Sequence, residues 1–318
     1  FFKLFPIILL VLCILSCQPE KDKPFKLLTA TETGLTFNNE MQELIGDSLD
    51  ALTFPYVYNG AGVATGDFNN DGLLDLFFAG NLVSSKLYLN QGSLQFNDVT
   101  EESKIATTRW CTGVSAVDIN NDQLLDIYIC VAGPNSDKRN YFFINQGLDD
   151  NGIPTFADKA REYGLDDNGY STMAAFFDYD KDNDLDMYLL TNEMSEPGSY
   201  NIVRPKETNG YAGNNDRLYR NDGNDHFTNV NQETGILIEG WGLGVNISDI
   251  NQDGWPDVYV SNDFISNDLL WINQQDGTFK NEAAKYLRHQ TFNGMGNDVA
   301  DINNDMKPDV IVVDMLPE

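Results

Sequence analysis

Asp67-Phe68-Asn69-Asn70-Asp71-Gly72-Leu73-Leu74-Asp75 puts an acid at positions 1, 5 and 9 of a nine-residue stretch and an amide at position 3. One Asn-Asp-Gly stretch of this kind is an ordinary turn. Here the frame returns four more times without a gap. Its acids and amides are Asp118, Asn120, Asp122 and Asp126 in the second copy and Asp178, Asp180, Asp182 and Asp186 in the third. They are Asp249, Asn251, Asp253 and Asp257 in the fourth, and Asp301, Asn303, Asp305 and Asp309 in the fifth. Internal repetition of this kind decides the architecture before any single residue does.

A short strand-like run follows each loop, such as Leu76-Phe77-Phe78, Ile127-Tyr128-Ile129 or Val258-Tyr259-Val260. Another extended run precedes it, and the β-branched and aromatic content of both argues for strands. A third run ends in Asn90, Asn145, Asn221 or Asn273, and a fourth opens on Phe96, Phe156, Phe227 or Phe279. From each of these Phe residues to the next first loop Asp is 22 residues. Phe25 opens a weaker copy of the same unit. About four short strands per unit predict an all-β chain, a β-propeller of four-stranded antiparallel blades over residues 25–318. A two-sheet sandwich explains the strands but not the constant spacing. Gly62, Gly113, Gly244 and Gly296 each stand five residues before a loop, where blades converge on an axis; Met173 is the exception.

Carboxylates at alternate positions of a tight loop point at one centre, where they repel unless a cation joins them. A hard divalent ion with oxygen ligands fits, and calcium's flexible coordination suits the loop better than magnesium's strict octahedron. Up to five calcium ions are expected. The loop is not an EF-hand, because position 12 is Phe78, Ile129, Leu189, Val260 or Val312 where that motif needs Glu. Position 6 calls for a left-handed backbone. Gly72 and Gly254 suit it and Asn183 is acceptable, whereas Gln123 and Met306 mark loops two and five as the weaker sites. Loop three, with four acids among the ligand positions, is expected to bind tightest.

The charge is −29, with 49 acids against 20 bases, which argues against nucleic-acid and anionic-membrane partners. With 12% aromatic and 42% hydrophobic residues the chain can still build a large core. At the N-terminus, Lys3 precedes an apolar run, residues 4–15, too short to span a bilayer comfortably; residues 1–16 read as a secretory signal. That run ends Ile14-Leu15-Ser16-Cys17, which resembles a bacterial lipobox and implies lipidation of Cys17, followed by a tether over residues 17–24. After cleavage Cys111 and Cys130 remain; an exported chain could pair them, or they stay as separate buried thiols.

The repeated loop resembles the FG-GAP/VCBS repeat family, whose calcium blades also occur in integrin α-chain propellers. The resemblance implies side-chain ligands at positions 1, 3, 5 and 9 and a backbone carbonyl at position 7, here Leu73, Leu124, Asp184, Trp255 and Lys307. The lipobox and the phrases around Tyr58-Asn59-Gly60 and Asp314-Met315-Leu316-Pro317-Glu318 look like bacterial VCBS-repeat lipoproteins related to the cartilage-acidic-protein and ASPIC/UnbV group. That kinship implies a lipid-anchored place in the bacterial cell envelope. It also implies a usual blade number of seven, of which five loops are present, so the array reads as incomplete.

In a four-stranded meander the metal loops share one face, and the insertions at 36–56, 132–140, 192–217 and 261–267 share the other. Trp110, Tyr170 and Trp241, each eight residues before a loop, are expected on that second face as ligand anchors or as packing between blades. A protein- or glycan-binding module is the expected function. A polysaccharide lyase or hydrolase and a structural envelope component are the alternatives. The two histidines, His226 and His289, form no catalytic motif, so no catalytic residue is assigned and the chain reads as a non-enzyme.

Overall fold

Strands buried along their whole length need cover on both faces, and the fold supplies it by stacking sheets side by side. The computed structural model describes residues 25–40, 55–133, 137–193, 205–263 and 266–315. The expected signal (1–16), Cys17 and the 17–24 tether lie outside these residues, as do parts of all four insertions and residues 316–318.

Blade 1 is β1 (Val63–Gly66), β2 (Asp75–Phe78), β3 (Lys86–Asn90) and β4 (Phe96–Asp98). Blade 2 is β5 (Cys111–Val117), β6 (Asp126–Val131), β7 (Tyr141–Leu148) and β8 (Pro154–Asp158). Blade 3 is β9 (Ser171–Phe177), β10 (Asp186–Thr191), β11 (Arg217–Asn221) and β12 (Phe227–Asn229). Blade 4 is β13 (Gly242–Ser248), β14 (Asp257–Asn262), β15 (Leu269–Asn273) and β16 (Phe279–Asn281). Blades 1 to 4 are antiparallel meanders in chain order. Of the fifth blade the described residues hold β17 (Gly294–Ala300) and β18 (Asp309–Asp314). The first strand of each blade packs on the first strand of the next.

The cores lie between blades. Phe68, Phe77 and Leu87 of blade 1 meet Ile127, Ile129 and Phe143 of blade 2, and the pattern repeats between blades 2 and 3 and between 3 and 4. The second strands β6, β10 and β14 are therefore buried along their whole length. Each fully buried Leu, Ile or Phe contributes about 1.5–3 kcal/mol. The arrangement settles the cysteines. Cys111 faces the core between blades 1 and 2 and Cys130 the core between blades 2 and 3, so the two free thiols point to opposite sides of one sheet.

The inner strands come too close for side chains at one recurring position. A Cβ on Gly113 would stand 2.3 Å from the carbonyl oxygen of Thr172 in the next blade, and one on Gly62 would stand 2.6 Å from the amide nitrogen of Val114. Hydroxyls stitch the same seam: Thr112 donates to the Ser171 carbonyl at 2.7 Å, Ser115 to Ala174 at 2.7 Å and Thr172 to Gly242 at 3.2 Å.

A helical turn follows the outer strand, an element the sequence reading did not foresee. The turns are Ala160–Tyr163, Asn231–Thr234 and Ala283–Tyr286. The first two close on left-handed Gly164 and Gly235, each seated against the carbonyl of the next blade's outer-strand Phe (Phe227, Phe279). Phe25, expected to open a strand, is 87% exposed in coil instead. The segment after it still follows the repeat. The turn Ala30–Thr33 has a Thr29/Glu32 capping box and closes on Gly34, which sits against the Phe96 carbonyl. Residues 25–40 thus cover blade 1 as a preceding blade's turn would.

Candidate metal centres

Each nine-residue loop joins the first strand of a blade to its second, so all five open on the same face. Their hydrogen bonds follow one plan. The carboxylate at position 1 accepts two backbone N–H bonds: Asp67 from Asp71 (3.0 Å) and Gly72 (2.8 Å), and Asp301 from Asp305 (3.0 Å) and Met306 (2.8 Å). Position 5 accepts the N–H of position 7, as in Asp71 with Leu73 and Asp253 with Trp255. The amide at position 3 hands its N–H to position 5: Asn69 to Asp71 at 3.0 Å, Asn120 to Asp122 at 3.0 Å and Asn251 to Asp253 at 2.8 Å. That bond orients the amide. An ionised carboxylate carries about four lone-pair sites, so these oxygens keep capacity for a cation.

Loops two and five, expected to be strained at position 6, follow the same path. Gln123 has φ 70° and Met306 φ 66°, beside 75° at Asn183 and 88° at Gly72 and Gly254. A second left-handed position escaped the sequence reading: position 4 (Asn70, Asn121, Lys181, Gln252, Asn304) has φ between 56° and 63° in every loop. Its side chain reaches the next loop in three cases. Asn70 donates to the Gln123 carbonyl at 3.0 Å, Gln252 to the Met306 carbonyl at 2.5 Å, and Lys181 lies 4.4 Å from the Trp255 ring centre.

Position 9 begins the second strand and is buried in blades 1 to 4. One oxygen accepts the N–H of position 2, as Asp75 from Phe68 at 2.9 Å. The other accepts the N–H of the asparagine ending the third strand, as Asp75 from Asn90 at 2.8 Å and Asp257 from Asn273 at 2.9 Å. Burial pushes these carboxyls up, to about 6 at Asp75 and Asp257, about 7 at Asp126 and about 8 at Asp186. The other loop aspartates add to the shift and the hydrogen bonds oppose it.

Loop three fits a cation best. Ligand atoms of Asp178, Asp180 and Asp186 all lie within 4.8 Å of one another, and no other trio of acids, histidines or cysteines converges so closely among the described residues. Asp180 replaces the amide of the other loops and has no N–H to give. Its Oδ1 and that of Asp184 are buried without a hydrogen-bond partner. Burial, then repulsion from Asp182, raises both carboxyls, Asp184 to about 6. Two orphaned acceptor oxygens amid like charges match a hard divalent ion's demand for oxygen ligands.

On the opposite face, three buried polar latches join strands two and three. Asn140 donates to the Tyr128 hydroxyl at 2.8 Å, and the hydroxyls of Tyr188 and Tyr259 donate to Asp216 and Asp268 at 2.8 and 2.7 Å. Of the three aromatics expected on this face, Trp110 follows the packing alternative. It is 2% exposed and packs so tightly against Gly133 that a Cβ there would lie 2.6 Å from its Cβ and 2.7 Å from its indole Cγ. It is packing, not an exposed anchor. Tyr170 is half-buried beneath Lys138, whose amine sits 4.6 Å from the ring centre, and Trp241 is half-buried.

The family model described as FG-GAP-like repeat matches residues 67–129, 208–260 and 249–312. No curated protein matches the chain. Among solved structures, an Agrocybe aegerita lectin studied for recognition of non-reducing terminal N-acetylglucosamine aligns at 16% identity and a TM-score of 0.39. That alignment covers 79% of this chain and 59% of the lectin chain, so the chain spans less than two thirds of its length.

Proposed function

The chain belongs to the FG-GAP-like repeat family, and from that footing we propose that it is a calcium-braced binding module working outside the cytoplasm. The observation that carries the metal half is loop three, where three converging aspartates and two orphaned oxygens ask for a cation. Side-chain oxygens at positions 1, 3, 5 and 9 would hold the ion, with the position 7 carbonyl. Bound calcium would cancel repulsion among the loop acids and tie the first two strands of a blade together. The same backbone path in all five loops extends the reading to the set.

The recognition half rests on topology. Metal loops occupy one face, so the connections that differ in length gather on the other, where binding usually lives on a rigid scaffold. A protein or a glycan is the proposed partner. Among the described residues no helix is long and apolar enough to cross a membrane. Export by residues 1–16 and acylation at Cys17 complete the proposal; loss of fatty-acid labelling in Cys17→Ser would support the anchor.

Thermal unfolding with calcium or with chelator tests the metal. A ligand at about 100 times its Kd stabilises a single site by roughly 2.7 kcal/mol, so Tm should climb with calcium. An unchanged Tm across millimolar calcium would sink the reading.

A further inference from the structure

We propose that the face opposite the metal loops carries, on blade 2, a cleft for the carboxylate of an acidic sugar, built on Arg109, Arg139 and Arg161. The inference rests on the binding-module reading and names a ligand class for it.

In a chain of charge −29, three arginines line one open cleft together with Asn140, Asp158 and Asp166. The cleft lies at the end of the blade where β8 finishes and the helical turn Ala160–Tyr163 begins. Two of the arginines are held in place. Arg109 lies with its guanidinium carbon 4.2 Å from the Tyr141 ring centre, gives Nε to Asp137 at 3.0 Å and gives Nη1 to the Arg139 carbonyl at 3.0 Å. Arg139 gives Nε and Nη2 to Asp137, both at 2.9 Å. Asp137 is thereby held ionised, its carboxyl pulled far below the usual range, chiefly by Arg139. Arg109 keeps Nη2 free, Arg139 keeps Nη1, and the exposed side chain of Arg161 engages no hydrogen bond or ion pair among the described residues.

Guanidinium groups fixed in advance lose little entropy when they meet a carboxylate, and their planar fork matches it. The acids in the cleft decide what carries that carboxylate. Asp158 spends one oxygen on the N–H groups of Phe142 and Ala160, leaving the other as an acceptor. An acidic peptide side chain offers acceptors only and would be repelled by Asp158 and Asp166. A sugar ring offers hydroxyl donors to those acids and a single carboxylate to the arginines. Densely charged polyanions are disfavoured by the overall charge.

The test uses the calcium-loaded full chain on an array of neutral oligosaccharides, their uronate-terminated counterparts and Glu-rich peptides, with titration calorimetry on the hits. We expect at least one uronate to bind on the order of tenfold tighter than its neutral match. Arg161→Gln should abolish that preference without moving Tm, since the exposed side chain holds nothing in place. A uronate preference that survives Arg161→Gln overturns the site, as does equal binding of every uronate and its neutral match. Arg161-dependent capture of the peptides above any sugar overturns the sugar assignment. Binding of other proteins or glycans with Arg161→Gln unaffected would discard this cleft and keep the binding-module reading; binding of nothing at all would discard both.

Discussion

Asn273 donates its side-chain amide to the carbonyl of Tyr179 in the preceding blade at 2.8 Å, while its own N–H holds Asp257 at 2.9 Å. Tyr179 is position 2 of loop three, and its N–H holds Asp186 at 3.1 Å. One buried asparagine therefore joins the position 9 acids of loops three and four. Asn145 does the same for loops one and two, through the Phe68 carbonyl at 3.1 Å and Asp126 at 2.8 Å. Asn221 holds Asp186 at 2.9 Å, but its amide goes to Leu185 of its own blade.

The loops should accordingly respond in pairs. Asn273→Ala removes a buried bridge and should destabilise by about 1–3 kcal/mol, the range for stranding buried hydrogen-bonding groups. It should also weaken calcium binding at loops three and four together. Asn221→Ala should cost less and leave loop two untouched. Chemical denaturation with calcium calorimetry on the two variants checks this; equal effects would break the pairing.

Position 6 isolates a purely conformational cost. Nothing lies within 4 Å of a Cβ built on Gly72, so Gly72→Ala meets no clash and only pays for φ 88°. About 1 kcal/mol of destabilisation is expected. Gln123→Gly should run the other way and stabilise by a similar amount, less the gain in unfolded-chain entropy. Urea melts of both proteins decide it, and a destabilised Gln123→Gly would mean the glutamine side chain does something not visible in its contacts.

Acidity and calcium should compete at position 9. In the metal-free fold Asp75, Asp126, Asp186 and Asp257 have carboxyls raised to between about 6 and about 8, above the ordinary 3.8 they regain on unfolding. For an acid raised this way the native state binds the extra proton. Its penalty is full above the folded pKa and fades as pH falls through 8 to 4, so metal-free protein should gain stability from these groups on acidification. A divalent cation favours the ionised form. Calcium binding should therefore release protons near pH 7 and weaken toward pH 6. Calorimetry in buffers of different ionisation enthalpy measures the release; none at loop three would contradict the burial of Asp186.

The repeat was legible because it recurs in the chain itself: the aspartate spacing reports one loop, and the 22-residue interval and the inner glycines mark, unit after unit, the same approach to the next blade. What escaped depends on neighbours. Position 4 is left-handed in Asn70 and Lys181 alike, because loop closure imposes it on whatever residue stands there. Trp110 looks like an anchor from its place before the loop, yet Gly133, 23 residues on, gives it a slot. The helical turn from Ala160 is too short to leave a periodic pattern. The tyrosine latches did leave a trace. Where the second strand has Tyr128, Tyr188 or Tyr259, the residue before the third strand is Asn140, Asp216 or Asp268; where it has Phe77, that residue is Ser85.

That pairing is testable by transplanting blade 1's solution into blade 3. Asp216 is fully buried, and burial raises its carboxyl to about 6 against the opposing bonds from the Thr191 N–H and the Tyr188 hydroxyl. Tyr188→Phe removes one donor from a buried carboxylate and should cost about 1.5–3 kcal/mol at neutral pH. Protonation relieves a carboxylate that has lost a donor, so the cost should shrink as pH falls toward 5. In blade 1, Ser85 instead takes the Gly80 N–H at 3.2 Å beside an apolar Phe77. Tyr188→Phe combined with Asp216→Ser copies that pair, swapping a buried charge for a hydroxyl that still accepts the Thr191 N–H. The double variant should recover most of the loss, giving a coupling on the order of 1–3 kcal/mol in a double-mutant cycle. Simple additivity of the two single costs would mean the tyrosine and the aspartate are not partners in stability, whatever their 2.8 Å separation suggests.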